Sequence, residues 1–105
     1  MVTKVVITRK FPQDSRKQAL KTIRELRSLA TLQHGYISGE TLISEDDPSK
    51  VLVVSTWISR KHWEEWRANP TRQQAGKILD ELLEAPEQVE CFLVAEKVSA
   101  WGDTP

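Results

Sequence analysis

Residues 50–59 read KVLVVSTWIS, and within them Val51, Leu52, Val53 and Val54 run consecutively. Valine-rich runs of this length suit a β-strand. Strand side chains point alternately to the two faces, so this run is apolar on both. An antiparallel strand with one wet face would alternate apolar and polar residues instead. This strand therefore needs a cover on each side. Helices of the same chain supply one. A chain of 105 residues has little left for the other, and a second copy of the protein is the economical cover.

Upstream, residues 2–10 alternate, with Val5, Ile7 and Arg9 on one side and Val6, Thr8 and Lys10 on the other. This predicts a first strand. FPQDSRKQ ends it at Pro12, and Ser15 with Gln18 three residues later reads as a capping box. Ala19, Leu20, Ile23, Leu26, Leu29 and Ala30 then recur at helical spacing. LQHGY is the turn out of that helix, with Gly35 suited to a left-handed helix end. YISGETLIS is a second strand, in which Gly39 marks a bulge or a close backbone approach. EDDPSK turns into the strand already quoted.

Downstream, Ser59 opens a short helix that runs to about Ala68. Asn69 as cap and Pro70 as first helical residue restart a new one. Ala75, Ile78, Leu79 and Leu82 are its buried side, and Gly76 weakens it by about 1 kcal/mol relative to alanine. VECFLVAEKV, residues 89–98, is a fourth strand, and SAWGDTP, residues 99–105, is a polar tail. The order is βαββαβ, an α+β ferredoxin-like arrangement with a four-stranded antiparallel sheet. Residues 1–98 form one domain. Both helices on one face leave the other bare, and two such sheets face to face make a dimeric α/β barrel.

The 15 basic and 15 acidic residues balance, so nothing points to nucleic acid or an anionic membrane. No apolar run approaches the ~18 residues of a membrane helix. The start, MVTKVVITRKF, lacks the apolar core of a signal peptide. The single cysteine, Cys91, reads as a small buried hydrophobe and fits a reducing cytoplasm. Neither His34 nor His62 sits in a metal-spaced motif.

HGYISGETLIS, VVSTWISRKHWEEWRANP and VECFLV together resemble the antibiotic biosynthesis monooxygenase domain family of the dimeric α/β barrel superfamily. The likeness spans about residues 2–98. It implies a homodimer through the open sheet face, and a pocket in each protomer between sheet and helices. It implies two kinds of activity: oxygenation of aromatic compounds without metal or flavin, and oxidative cleavage of haem. The haem-cleaving branch uses an asparagine on the first strand, a tryptophan after strand three and a haem-ligating histidine about ten residues later. Trp66 matches the tryptophan. Thr8, beside Arg9, stands at the first position and Gly76 at the last, so haem cleavage is disfavoured. The oxygenating branch needs a dry aromatic slot with polar groups at a phenol and at a developing peroxide.

On a helical wheel Trp63 and Trp66 share an inward face, with His62 at its edge. The expected reaction is cofactor-independent oxygenation of a small aromatic or quinol-like substrate. Candidate catalytic residues are Trp66, His62, Tyr36 and His34, a histidine being a base near neutral pH. Candidate substrate-binding residues are Arg9, Thr8, Trp63 and Asn69. Competing structural readings stand beside these roles. Trp57 and Trp63 are core, His62 is a rim residue, and His34 caps the first helix. The alternative function is a dimer that binds a small apolar ligand, or haem, without turnover.

Overall fold

The computed structural model describes residues 1–95. Its strands are β1 (Thr3–Lys10), β2 (Tyr36–Ile43), β3 (Lys50–Trp57) and β4 (Gln88–Leu93). Its helices are α1 (Arg16–Ala30), α2 (Arg60–Arg67) and α3 (Pro70–Leu82). The strands form one antiparallel sheet in the order β2-β3-β1-β4. This is the expected ferredoxin-like fold. Residues 96–98 of the expected fourth strand, and the tail 99–105, lie outside the described residues. Val94 has already left the strand, although its N–H still donates to the Val2 carbonyl.

Register explains which side chains meet the helices. Val5 pairs with Ser55 and Cys91, Ile7 with Val53 and Val89, and Arg9 with Val51. With Thr3 and Trp57, these residues form the covered face. The helices bury Ala19, Ile23, Leu26, Ala30, Trp63, Trp66 and Leu79 against it. Cys91 is half-buried beside this core rather than inside it.

The other face carries Lys4, Val6 and Thr8 on β1 and Leu52, Val54 and Thr56 on β3. Leu42 of β2 and Phe92 of β4 extend it, 43% and 50% exposed. No element of the described chain covers this side. The run 51–54 is apolar on both faces, as read, and only one face is closed within the protomer.

Three local expectations change. Ser15 is no capping box, because a 3-10 turn over Gln13–Ser15 holds it in helical backbone geometry and its side chain makes no cap hydrogen bond. The strand irregularity lies between Tyr36 and Ser38 rather than at Gly39. It puts Tyr36 and Gly39 on the same face of β2. Gly39 is instead the close approach, since a Cβ there would stand 2.5 Å from the Tyr36 hydroxyl. The end of α1 is capped by Gln33, whose Nε2 donates to the Leu29 carbonyl, and not by His34.

The other caps follow the sequence. Ser59 accepts from the His62 N–H at the start of α2, and Asn69 accepts from the Thr71 N–H with Pro70 opening α3. Gly35 is left-handed at φ 86°.

Candidate active site

A half-open cleft lies between the covered sheet face and the helices. The sheet contributes Ile7, Arg9, Val53, Ser55 and Trp57, with Tyr36 and Gly39 from β2. Ile23, Leu26, Arg27 and Ala30 of α1 form the opposite wall; Trp63, Trp66 and Arg72 come from α2 and α3. The empty space among them is about 470 Å³ including the open side, and the part that admits a water centre is about 50 Å³. At roughly 10–15 Å³ per water by that measure, it holds a few waters or a narrow flat ring.

The aromatic end is built by β3 and α2. The Tyr36 ring meets Trp57 edge-on at 5.3 Å, and Trp57 lies 6.1 Å from Trp63, centroid to centroid. Such tilted contacts place positive ring edges on negative faces and hold each ring in one orientation. Trp57 Nε1 donates to Ser55 Oγ. Trp63 Nε1 is buried and has no partner.

The cationic groups come from three elements. Arg9 is 4% exposed, and its Nε donates to Glu87 at 2.8 Å. Arg27 donates to the Thr41 hydroxyl. The Arg72 guanidinium stands 5.0 Å above the Trp63 ring, a cation–π contact that fixes its place. Burial, then repulsion from Arg9, pushes the Arg72 group down to about 10, so it stays charged at neutral pH. Burial also raises the Tyr36 phenol above its ordinary value, with Arg27 opposing the shift. The phenol is a hydrogen-bond donor at neutral pH.

Of the candidate residues, the cleft brings together Trp66, Trp63, Tyr36 and Arg9. It does not include Thr8, because the two-residue period of β1 turns Thr8 to the open face while Arg9 points inward. Asn69 is occupied as the cap of α3. His34 is exposed, and its ring lies 5.1 Å from that of His62. His62 Nδ1 is 2.8 Å from the Ser59 hydroxyl, and its ring occupies the space a side chain at position 35 would need. The two histidines thus form a pair outside the lining, over the Gly35 turn, and the histidine base expected for the cleft is not there.

Sequence reasoning missed Arg27 and Arg72. Both were legible on helical wheels. Arg72 lies seven residues before Leu79, the buried position of α3, hence about 20° from it at 100° per residue. Arg27 lies about 40° from Ile23 by the same measure. A cation inside an apolar arc is a signal.

Among the described residues no cluster of three or more His, Cys, Asp or Glu could hold a metal ion. No helix there is long and apolar enough to cross a membrane.

The family model for antibiotic biosynthesis monooxygenase matches residues 2–78. No curated protein matches the chain. Solved structures are similar across nearly the whole length. SnoaB, a cofactor-independent oxygenase from Streptomyces nogalater, superposes with a TM-score of 0.82 at 11% identity, over 92% of this chain and 96% of that one. Rv0793 from Mycobacterium tuberculosis gives 0.84 at 18% identity, over 94% and 100%. A conserved protein from Methanosarcina mazei gives 0.83 at 11%, over 88% and 91%. At these identities the likeness shows the fold.

Proposed function

The chain belongs to the antibiotic biosynthesis monooxygenase family, and from that membership we propose that it oxygenates a small aromatic or quinol-like substrate without metal or flavin. The supporting observation is the cleft beside Trp66, which joins aromatic walls, a protonated phenol and guanidinium groups. Dioxygen accepts one electron at a time, and a phenolate gives one far more readily than a phenol. The first task is therefore proton loss from the substrate hydroxyl.

The lining holds no His, Asp or Glu to take that proton. The field of Arg27, which already acts on the Tyr36 phenol, lowers the cost of a substrate phenolate docked beside it. The proton leaves to solvent through the open side. Tyr36 donates a hydrogen bond to the reduced oxygen, and Trp66 and Trp63 hold the ring flat. Carbon–oxygen bond formation gives a hydroperoxide, and loss of water leaves a quinone. For 1-naphthol the balance is one dioxygen consumed, with one 1,4-naphthoquinone and one water formed.

Haem fits this cleft poorly. Tyr36 is the lining residue able to ligate haem iron, and the enclosed space, about 50 Å³ by water centres, is far smaller than a porphyrin needs. The bare open face, with Val6, Leu52, Val54, Leu42 and Phe92, supports a homodimer across it. The single cysteine supports a reducing, cytoplasmic setting.

The test is dioxygen uptake with 1-naphthol in the absence of added metal or flavin. We expect a rate above the enzyme-free background. It should fall at least tenfold in Trp66→Ala, and also in Tyr36→Phe, which keeps the ring and removes the hydroxyl. Uptake no faster than background would remove the oxygenase reading.

A further inference from the structure

Three guanidinium groups line the cleft and no carboxylate does. Arg9 is answered by Glu87 from outside the lining. Among the described residues, Arg27 and Arg72 form no ion pair. One acid is paired directly with the three cations, and Asp80 reaches Arg72 only at a distance.

Arg72 bears most of the conflict. Burial disfavours its charge and Arg9 and Arg67 repel it, which together outweigh the attraction of Glu87 and Asp80. It also stands in the first turn of α3, where no acidic residue accompanies it. That is the positive end of the helix dipole. Burial and like charge both raise the cost of a cation. The Trp63 ring beneath holds Arg72 in place without neutralising it. Trp63 adds a second, independent shortage: its buried Nε1–H has no acceptor. Native folds seldom leave such donors unpaired. A mostly apolar slot with surplus cations and an orphan donor is complementary to an anion.

We infer that the substrate is a flat aromatic acid whose carboxylate docks against Arg72 and Arg9. The inference rests on the oxygenase reading of the same cleft and names its substrate class. A guanidinium is planar, and its paired N–H groups match the two carboxylate oxygens. The enclosed part takes one flat ring, and the open side of the cleft leaves room for a second. Arg9 lies across from Val51, and Val51 from Ile43; one pair of residues along, Ile7, Val53 and Thr41 form the neighbouring row. Thr41 anchors Arg27. The two rows are roughly 7 Å apart, so a carboxylate at Arg9 and Arg72 leaves a ring hydroxyl within range of Arg27.

The probes are 5-hydroxy-2-naphthoate and 1-naphthol, which share a ring system and the free carbon para to the hydroxyl that is to be oxidised, and differ in the carboxylate, which stands on the ring far from the hydroxyl. Dissociation constants come from quenching of tryptophan fluorescence in the full chain. We expect the acid to bind at least tenfold tighter. The preference should shrink below threefold in Arg72→Met and return in part in Arg72→Lys. Should Arg72→Met fail to fold, the wild-type melting temperature decides: it should rise with the acid and not with 1-naphthol at equal concentration. Equal affinities, or a preference untouched by a folded Arg72→Met, would overturn the inference. Dioxygen uptake in the same samples separates the two claims. Uptake without acid preference removes the acid and keeps the oxygenase; acid preference without uptake does the reverse.

Discussion

Val51 and Val53 of β3 face the helices, while Leu52 and Val54, their immediate neighbours in sequence, face none. The four side chains are chemically alike. The covered side is closed by three helices and still keeps a slot lined by arginines. The other side is a flat apolar band, with Glu40 and Glu90 at the ends of the Val54–Val6 row. One sheet thus holds two kinds of surface. The difference comes from the rest of the chain: α1, α2 and α3 all pack on the same side, and indoles and guanidiniums line the space left between them and the sheet. On the bare side nothing has to be accommodated, so the surface stays regular and suited to an identical partner.

The largest effect is expected on the covered side. Trp63→Ala should lose about 3–5 kcal/mol of folding stability in urea titration. A loss below 1 kcal/mol would mean that the indole is not part of the core. Next comes the bare side. Val54→Asp should raise the dimer dissociation constant on the order of 100-fold, about 3 kcal/mol, in sedimentation equilibrium, with each protomer still folded. Unchanged association would place the interface elsewhere and erase the contrast between the faces. Gly35→Ala should cost roughly 1–2 kcal/mol for the left-handed backbone. It should also displace His62, whose ring lies 2.3 Å from where the new Cβ would be. The smallest effect is reserved for His62→Ala, which should leave dioxygen uptake within about twofold, because the histidine pair stands outside the cleft. A tenfold loss there would bring the pair into the chemistry.

Periodicity made the fold legible. Alternation in β1, the spacing of α1, and the Ser59 and Asn69 caps each depend on residues near one another in sequence. The same local logic turned Trp63 and Trp66 inward. It failed where distance in sequence matters. His34 and His62 meet only because the left-handed Gly35 turn leaves room for an imidazole from α2, and no window of sequence contains both. Thr8 enters beside Arg9 by resemblance, although the alternation of β1 assigns the two to opposite faces. The capping box at Ser15 failed because Pro12 begins a 3-10 turn that takes Ser15 into helical geometry first. Arg27 and Arg72 were readable, but a charged residue near an apolar stripe is easily counted with the solvated side.

The irregularity between Tyr36 and Ser38 gives strand register itself a chemical meaning. Two residues of β2 stand there against one of β3. Flatten the bulge with every residue kept and the pairing unchanged from Gly39 onward, and the side chain opposite Trp57 is Ile37, now 51% exposed. The phenol would then point to the far side of the sheet. A one-residue slip in pairing, with no change to any side chain, would exchange a hydroxyl for an alkyl branch at the aromatic end. Relatives that pair this strand without the bulge would therefore present a different reactive surface, even where their aligned side chains agree.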